Sequence, residues 1–229
     1  MIEAIVLAGG FGTRLRSVVS DVPKPMAPIG DKPFLAYLLK ELSQKGVNRV
    51  ILSVGYKAEI IIKYFGNSYE GMDIEYAVEE EPLGTGGAVQ LAMKSCTQDH
   101  IYILNGDSYV NIDIEGMEAQ WKIDRLQVIV GAVVEDASRF GSILVEDGFV
   151  IGFAEKGKSG KGMINAGCYL LDPNKFNKIH QNSPFSLEKD FFENEIRNKS
   201  IKINVAEGFF IDIGIPEDYK IIQNRLLND

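Results

Sequence analysis

Three glycines and an arginine stand close together near the start of the chain, in Leu7-Ala8-Gly9-Gly10-Phe11-Gly12-Thr13-Arg14-Leu15. Glycine lets a backbone approach a ligand closely and turn its N–H groups toward phosphate oxygens. Arginine adds a planar fork that grips such oxygens in pairs. The chemistry implied is the holding of a phosphorylated ligand. Two familiar phosphate loops do not fit here. The dinucleotide fingerprint Gly-x-Gly-x-x-Gly fails, because Gly10-Phe11-Gly12-Thr13-Arg14 runs into Leu15. The P-loop pattern fails too, since no Gly-Lys-Ser/Thr follows four spacers after any of these glycines. Without further company, the loop could equally be a glycine turn with a surface arginine.

That company lies in Val22-Pro23-Lys24-Pro25-Met26-Ala27-Pro28. Prolines on both sides of Lys24 restrict the local backbone. The lysine stem therefore starts from a stiff base, which lowers the entropic cost of aiming its ammonium. A plain surface proline turn is the competing reading.

Alternating strands and helices would position these groups. Ile2 to Ala8 is a near-continuous apolar run ended by Gly9-Gly10, as suits a parallel strand covered on both faces. Phe34, Leu35, Leu38, Leu39 and Leu42 recur at helical spacing before Gly46. Val50 to Val54, Ile74 to Val78 and Ile101 to Leu104 read as further strands. Ile60, Ile61, Tyr64 and Phe65 mark a helix, and so do Ala88, Leu91 and Ala92. Such alternation implies parallel βαβ units. In open sheets of this kind ligands bind beyond the carboxyl ends of the strands. That rule points to the loops Gly9 to Arg16, Glu79 to Gly87 and Gly106 to Tyr109. The second half is richer in strand: Val128 to Val134, Ser142 to Val145, Phe149 to Phe153 and Cys168 to Leu171. Leu187 to Ile196 and Pro216 to Leu227 look helical.

Composition narrows the classes. The chain has 229 residues, 45% of them hydrophobic, enough for a sizeable core. With 24 basic and 32 acidic residues its net charge is -8, a poor basis for general binding to nucleic acid or an anionic membrane. Cys96 and Cys168 make no disulfide framework and read as buried thiols in a reducing compartment. The apolar N-terminus lacks a basic leader, and no apolar run approaches the roughly 20 residues of a membrane span. A cytoplasmic protein is expected. The sequence leaves a homo-oligomer open.

Taken together, the segments resemble the sugar-nucleotide pyrophosphorylases, the nucleoside-triphosphate:sugar-1-phosphate nucleotidyltransferases. Residues 7–15 match the family's Leu-Ala-Gly-Gly-x-Gly-Thr-Arg-Leu, and residues 23–28 its Pro-Lys-Pro-Met-x-Pro. Glu80 to Ala88 is similar to the second nucleotide loop, and Asn105-Gly106-Asp107 to the Gly-Asp metal motif. Phe153-Ala154-Glu155-Lys156 resembles the sugar-binding Glu-Lys segment, and Ile164 to Tyr169 the Asn-Ala-Gly-x-Tyr strand. Ile211 to Tyr219 resembles the closing Asp-x-Gly-x-Pro-Glu segment. Two places depart from the pattern: Leu15-Arg16-Ser17 replaces Leu-x-Pro, and Glu155-Lys156-Gly157 replaces Glu-Lys-Pro.

The resemblance implies an α/β fold of nucleotide-diphospho-sugar transferase type. A Rossmann-like, mixed but mostly parallel sheet would be flanked by helices, with a β-rich sugar-binding part. It implies one domain over 1–229, with 1–110 mainly for the nucleotide and 111–229 mainly for the sugar phosphate. No appended C-terminal domain is expected. Arg14, Lys24 and Asp107 would be catalytic, and Asp107 with Asp212 would hold Mg²⁺. Leu7, Ala8, Gly9, Gly10, Gly12, Thr13, Glu79, Pro82, Gly84 and Thr85 would bind the nucleoside triphosphate. Gly106, Glu155, Lys156, Asn165 and Glu188 would bind the sugar 1-phosphate. In isolation Asp107 could be a turn aspartate, Asp212 a neighbour of a helix cap and Glu188 an exposed helical charge.

The nucleophile would be the sugar phosphate itself. A phosphate monoester has a second pKa near 6, so it is largely a dianion at neutral pH and needs no general base. His100 and His180 accordingly lie in no motif. At Glu79, where thymidylyl members carry glutamine, a carboxylate can only accept hydrogen bonds. It suits the N1–H and NH₂ of guanine, which favours GTP. Within the family the segment from Leu15 to Pro28, in so compact a chain, is similar to the guanylyltransferases of D-glycero-alpha-D-manno-heptose 1-phosphate, which serve bacterial surface polysaccharide synthesis. Alternatives are a mannose- or other hexose-1-phosphate enzyme, a nucleotide-binding regulatory subunit without turnover, and a dinucleotide oxidoreductase. The missing glycine counts against the last.

Overall fold

The computed structural model describes the chain except for residues 11–14, 16–18, 20, 155–156, 158, 178–183 and 228–229. The first half holds β1 (Glu3–Leu7), β2 (Pro28–Ile29), β3 (Lys32–Pro33), α1 (Phe34–Gln44), β4 (Arg49–Val54) and α2 (Ala58–Phe65). Next come β5 (Ser68–Tyr69), β6 (Met72–Val78), α3 (Gly84–Ala92), β7 (Ile101–Asn105), β8 (Ser108–Val110) and α4 (Ile114–Asp124). The second half holds β9 (Gln127–Val134), β10 (Ser142–Glu146), β11 (Phe149–Ala154), β12 (Gly162–Leu171) and α5 (Pro173–Phe176). A π-helical turn, Leu187–Phe192, runs into α6 (Glu193–Ile196), followed by β13 (Ile201–Val205), β14 (Phe210–Asp212) and α7 (Pro216–Leu226).

Ten strands form one mixed sheet in the order β10-β11-β13-β9-β12-β7-β1-β4-β6-β5. Strands β7, β1, β4 and β6 run parallel at its centre. Antiparallel β12 joins them to the β-rich half, where β13 lies parallel to β9. The alternation is borne out in the parallel first half, and the α/β class with a mixed sheet agrees with the resemblance. The sheet as a whole is not mostly parallel, however, because the strands of the second half pair largely antiparallel. Both faces of the central strands are covered, so their residues alternate between two cores. Ala4, Val6, Val50 and Leu52 pack on one face, and Ile5, Ile51, Ile101 and Ile103 on the other. Helix α1 buries Phe34, Leu35, Leu38, Leu39 and Leu42, and Gly46 follows it at φ +87. Glycine alone takes that left-handed conformation without strain.

Several elements depart from expectation. The strand read at Cys168 to Leu171 begins at Gly162 and pairs with both β7 and β9. Its register against β9 shifts between Asn165 and Tyr169, with Gly167 at φ +69. The helix read at Leu187 to Ile196 opens as a π-helical turn. Strands β2, β3, β5, β8, β13 and β14 and helices α4 and α5 add to the sequence reading. Cys168 is buried as expected, but Cys96 is only partly so. Burial, with Glu3 and Glu75 nearby, still pushes the Cys96 thiol up to about 12, so it stays protonated. No helix among the described residues is long and apolar enough to cross a membrane.

Candidate active site

The carboxyl ends of β1, β4, β6 and β7 open on a cleft of about 600 Å³. Its wall includes Leu7, Gly9 and Gly10 after β1, Gly55 and Tyr56 after β4, and Glu79 to Pro82 after β6. Gly84, Thr85 and Ala88 of α3 also line it, as do Asn105, Asp107, Lys24 and Gly214.

Lys24 opens a 3₁₀ turn, Lys24–Met26, with Pro25 inside it. Its Nζ donates to Asp107 Oδ2 at 2.6 Å and to Asp212 Oδ1 at 2.9 Å. A two-stranded ribbon brings those carboxylates together. Strand β14 pairs antiparallel with β8, setting Asp212 opposite Ser108, and the Ile213 N–H donates to the Asp107 carbonyl at 3.0 Å. The Gly214 N–H donates to Asp212 Oδ1 at 2.8 Å, and a Cβ there would sit 3.2 Å from the lysine Nζ. Burial alone would lower the Lys24 ammonium. The charges and hydrogen bonds of Asp107 and Asp212 outweigh it and hold the group above its ordinary value, so the lysine is cationic at neutral pH.

The same carboxylates fit a hard cation. Asp107 and Asp212 converge within reach of one ammonium, and magnesium takes few protein carboxylates together with phosphate oxygens and water. No group of three or more His, Cys, Asp or Glu among the described residues could hold a metal alone.

Around the end of β1, close packing accounts for two of the glycines, Gly9 and Gly106. A Cβ at Gly9 would lie 2.8 Å from Glu79 Oε1, and one at Gly106 would lie 2.7 Å from the Leu7 carbonyl. The Ala8 and Gly106 N–H groups donate to the carbonyls of Ser53 and Leu7, at 2.7 and 2.9 Å. They lock strand ends in place. Glu79 accepts from the Ser53 hydroxyl and the Leu83 N–H, each at 3.2 Å.

On the other side, a chain of hydrogen bonds links Asn165 to the start of α3. The Asn165 amide donates to the buried Tyr169 hydroxyl at 2.9 Å, and Tyr169 donates to Glu188 Oε1 at 3.2 Å. Glu188 Oε2 accepts from Thr85 at 3.1 Å and from Ser186 at 3.0 Å. Glu188 is thus a part-buried, three-fold acceptor in a π-helical turn rather than an exposed helical charge. Asp212 ends a strand, and the residue preceding α7 is Ile215.

Gly12, Thr13, Arg14, Glu155 and Lys156 lie outside the described residues. Of the other expected site residues, Leu7, Gly9, Gly10, Lys24, Glu79, Pro82, Gly84, Thr85 and Asp107 border the cleft. Asn165 and Glu188 connect to it through Thr85, and Asp212 through Lys24. Cleft residues missing from the expected site set include Asn105 and Gly214, both inside motifs that were a signal, and Gly55 and Tyr56, which lie in none. The sequence also holds a Gly-x-x-x-x-Gly-Lys-Ser run at Gly152 to Ser159. It starts inside β11 and is followed by β12, so it lacks the strand–loop–helix setting a P-loop requires.

A family model described as nucleotidyl transferase matches residues 3–229. The chain belongs to this family, and it is a nucleotidyltransferase. Among individual relatives, it is 43% identical over 227 residues to D-glycero-alpha-D-manno-heptose 1-phosphate guanylyltransferase of Aneurinibacillus thermoaerophilus, covering 98% of each chain. It superposes on HddC from Yersinia pseudotuberculosis complexed with GMP-PN with a TM-score of 0.86 and 38% identity, covering 99% of this chain and 100% of that one. Mannose-1-phosphate guanylyltransferase of Mycobacterium tuberculosis is 35% identical over 224 residues, which are 95% of this chain and 62% of that protein.

Proposed function

We propose that this protein transfers GMP from GTP to D-glycero-alpha-D-manno-heptose 1-phosphate and releases pyrophosphate, with magnesium bound by Asp107 and Asp212. One geometric observation carries the transfer chemistry: a part-buried cationic lysine set between two carboxylates at the rim of a glycine-walled cleft. The near-full-length likeness to a heptose 1-phosphate guanylyltransferase supports the choice of substrates.

The sugar phosphate dianion attacks the α-phosphorus in line with the leaving pyrophosphate, and the protein's task is to gather these negative charges and orient them. Lys24 neutralises the sugar phosphate and the charge that develops at the reacting phosphorus. Arg14 grips the pyrophosphate. Gly9, Gly10 and Gly12, with Leu7, Ala8 and Thr13, cradle the phosphates and base, with Pro82, Gly84 and Thr85 across the cleft. Glu79 reads guanine. Gly106, Glu155, Lys156, Asn165 and Glu188 take the sugar phosphate. Bound magnesium adds charge neutralisation on the triphosphate. No general base is required. His100 stands just before β7, at the end of the strand away from Asp107, and contacts Asp99 and Glu118.

This reading treats residues 1–229 as one domain, with the nucleotide held mainly by 1–110 and the sugar phosphate mainly by 111–229, acting in the cytoplasm where GTP is supplied. The likeness to a mannose-1-phosphate guanylyltransferase supports a second reading with a hexose acceptor. Pyrophosphate release with Mg²⁺, four triphosphates and a panel of sugar 1-phosphates tests both. Turnover with GTP and the manno-heptose phosphate is the expected result. Turnover only with another pair discards the named substrates. No turnover from folded, nucleotide-binding protein favours a regulatory subunit.

A further inference from the structure

We propose that Ser53 is a positioning residue for base selection, its buried hydroxyl holding the Glu79 carboxylate in the orientation that reads guanine. The inference rests on Glu79 being the base reader.

Ser53 is fully buried in β4, among Val50, Ile51, Leu52 and Val54, which are also at 0% exposure. A hydroxyl in such surroundings costs stability unless it is hydrogen-bonded. Its acceptor is Glu79 Oε1, at 3.2 Å, just past the end of the neighbouring strand β6. The second carboxylate oxygen accepts the Leu83 N–H at 3.2 Å, which folds the loop back over Glu79. The Glu79 N–H donates to the Val54 carbonyl at 2.8 Å, so the backbone beneath is fixed as well.

Among the described residues, then, each oxygen of this carboxylate receives one donor, and each has a second lone pair. Guanine presents two adjacent donors on its Watson–Crick edge, N1–H and the exocyclic amine. Adenine and cytosine offer one donor beside an acceptor, and uracil one donor between two acceptors. A carboxylate fixed in plane by one donor per oxygen therefore matches guanine with both remaining lone pairs. An unsupported carboxylate turns freely about its last bond. It would incur that ordering cost on binding. Gly9 completes the arrangement, since a Cβ there would come within 2.8 Å of Glu79 Oε1.

The test compares GTP with ITP, which lacks only the exocyclic amine. Their dissociation constants are measured by calorimetry with Mg²⁺ and no sugar phosphate, in wild type, Ser53→Ala, Ser53→Cys and Glu79→Gln, with the melting temperature of each. Wild type is expected to prefer GTP about tenfold, the worth of one hydrogen bond to a charged acceptor. Ser53→Ala is expected to reduce that preference to about threefold or less, with Ser53→Cys, a weak donor, in between. A purely structural serine would shift melting temperature and weaken both nucleotides alike, leaving the ratio intact. A wild-type ratio in Ser53→Ala while Glu79→Gln loses it overturns the role of Ser53 alone. If Ser53→Ala does not fold, a wild-type ratio in Ser53→Cys overturns it equally. An unchanged ratio in Glu79→Gln overturns the base-reading role of Glu79 itself.

Discussion

The Lys24 ammonium and the Asp107 carboxylate, 83 positions apart in the chain, meet at 2.6 Å beside the glycine-walled cleft. In the proposed reaction the pair holds the lysine ammonium where a triphosphate and a sugar phosphate approach each other. Lys24→Ala is expected to lower turnover by about 10²–10³-fold, the usual cost of losing one preorganised charge at a transition state. Nucleotide affinity should change little. Steady-state pyrophosphate release and calorimetric binding check the two halves separately. A variant as active as wild type would rule out the role.

Asp107 and Asp212 share that lysine and, in the proposed reaction, the metal. The double variant Asp107→Asn, Asp212→Asn is expected to lose activity that no magnesium concentration restores. Wild-type protein should stop in chelator and recover when magnesium is returned. Activity persisting in chelator would sink the metal assignment.

Glu188 accepts three hydroxyls, from Tyr169, Thr85 and Ser186. In Glu188→Gln the amide nitrogen replaces one acceptor oxygen, so the set cannot stay satisfied. The KM for the sugar phosphate is expected to rise about tenfold, equivalent to one such hydrogen bond. The KM for GTP should stay within about twofold. Equal rises in both would show that Glu188 supports the fold rather than the sugar side.

Stability should depend on acid through Glu3. Its buried carboxylate accepts from Thr97 N–H and Oγ1 at 2.8 and 2.7 Å, from Gln98 N–H at 3.2 Å and from Arg49 Nη1 at 2.6 Å. Burial alone would raise this carboxyl, but the four donors outweigh it and hold it below its ordinary value of 4.5. The folded state therefore binds the proton less readily than the unfolded one. The stabilisation is complete above about pH 4.5 and is lost as pH falls through the lowered value. Denaturant unfolding of wild type should show that decline. Glu3→Gln should be less stable at neutral pH by about 2 kcal/mol or more, with a shallower acid limb. Parallel curves for the two proteins would contradict this account.

The sequence made the central frame legible because β1, β4 and β7 are covered on both faces and read as short apolar runs. Lys24 was legible because its flanking prolines limit the turn that carries it. The nearness of Asp212 to Lys24 was not legible. It depends on β8 and β14, three residues each, pairing across a long stretch of chain, and such short strands carry no periodicity. Ser53 was silent for a related reason: a lone hydroxyl in an apolar strand gains meaning only when the neighbouring strand's register brings Glu79 beside it. Two other omissions had readable signals. Ile201-Lys202-Ile203-Asn204-Val205 alternates apolar and polar residues, and Ile114, Met117 and Trp121 repeat at helical spacing.

The irregularity in β12 sets a length as well as a shape. From Asn165 to Tyr169 this strand advances four residues while β9 advances two, from Gly131 to Ile129. In a regular strand four steps span about 13 Å, beyond the reach of the Asn165 amide to the Tyr169 hydroxyl. The surplus residues absorb that distance, and Gly167 is confined to its place by φ +69 and by the Asn105 side chain against it. Losing one residue there would reverse the parity of everything after it, turning Tyr169 and Leu171 into the opposite core. Losing two would straighten the strand into regular pairing with β9 and remove the turn at Gly167. Asn-Ala-Gly-Cys-Tyr therefore works as a ruler, and natural variation in this segment should change its letters more freely than its number of residues.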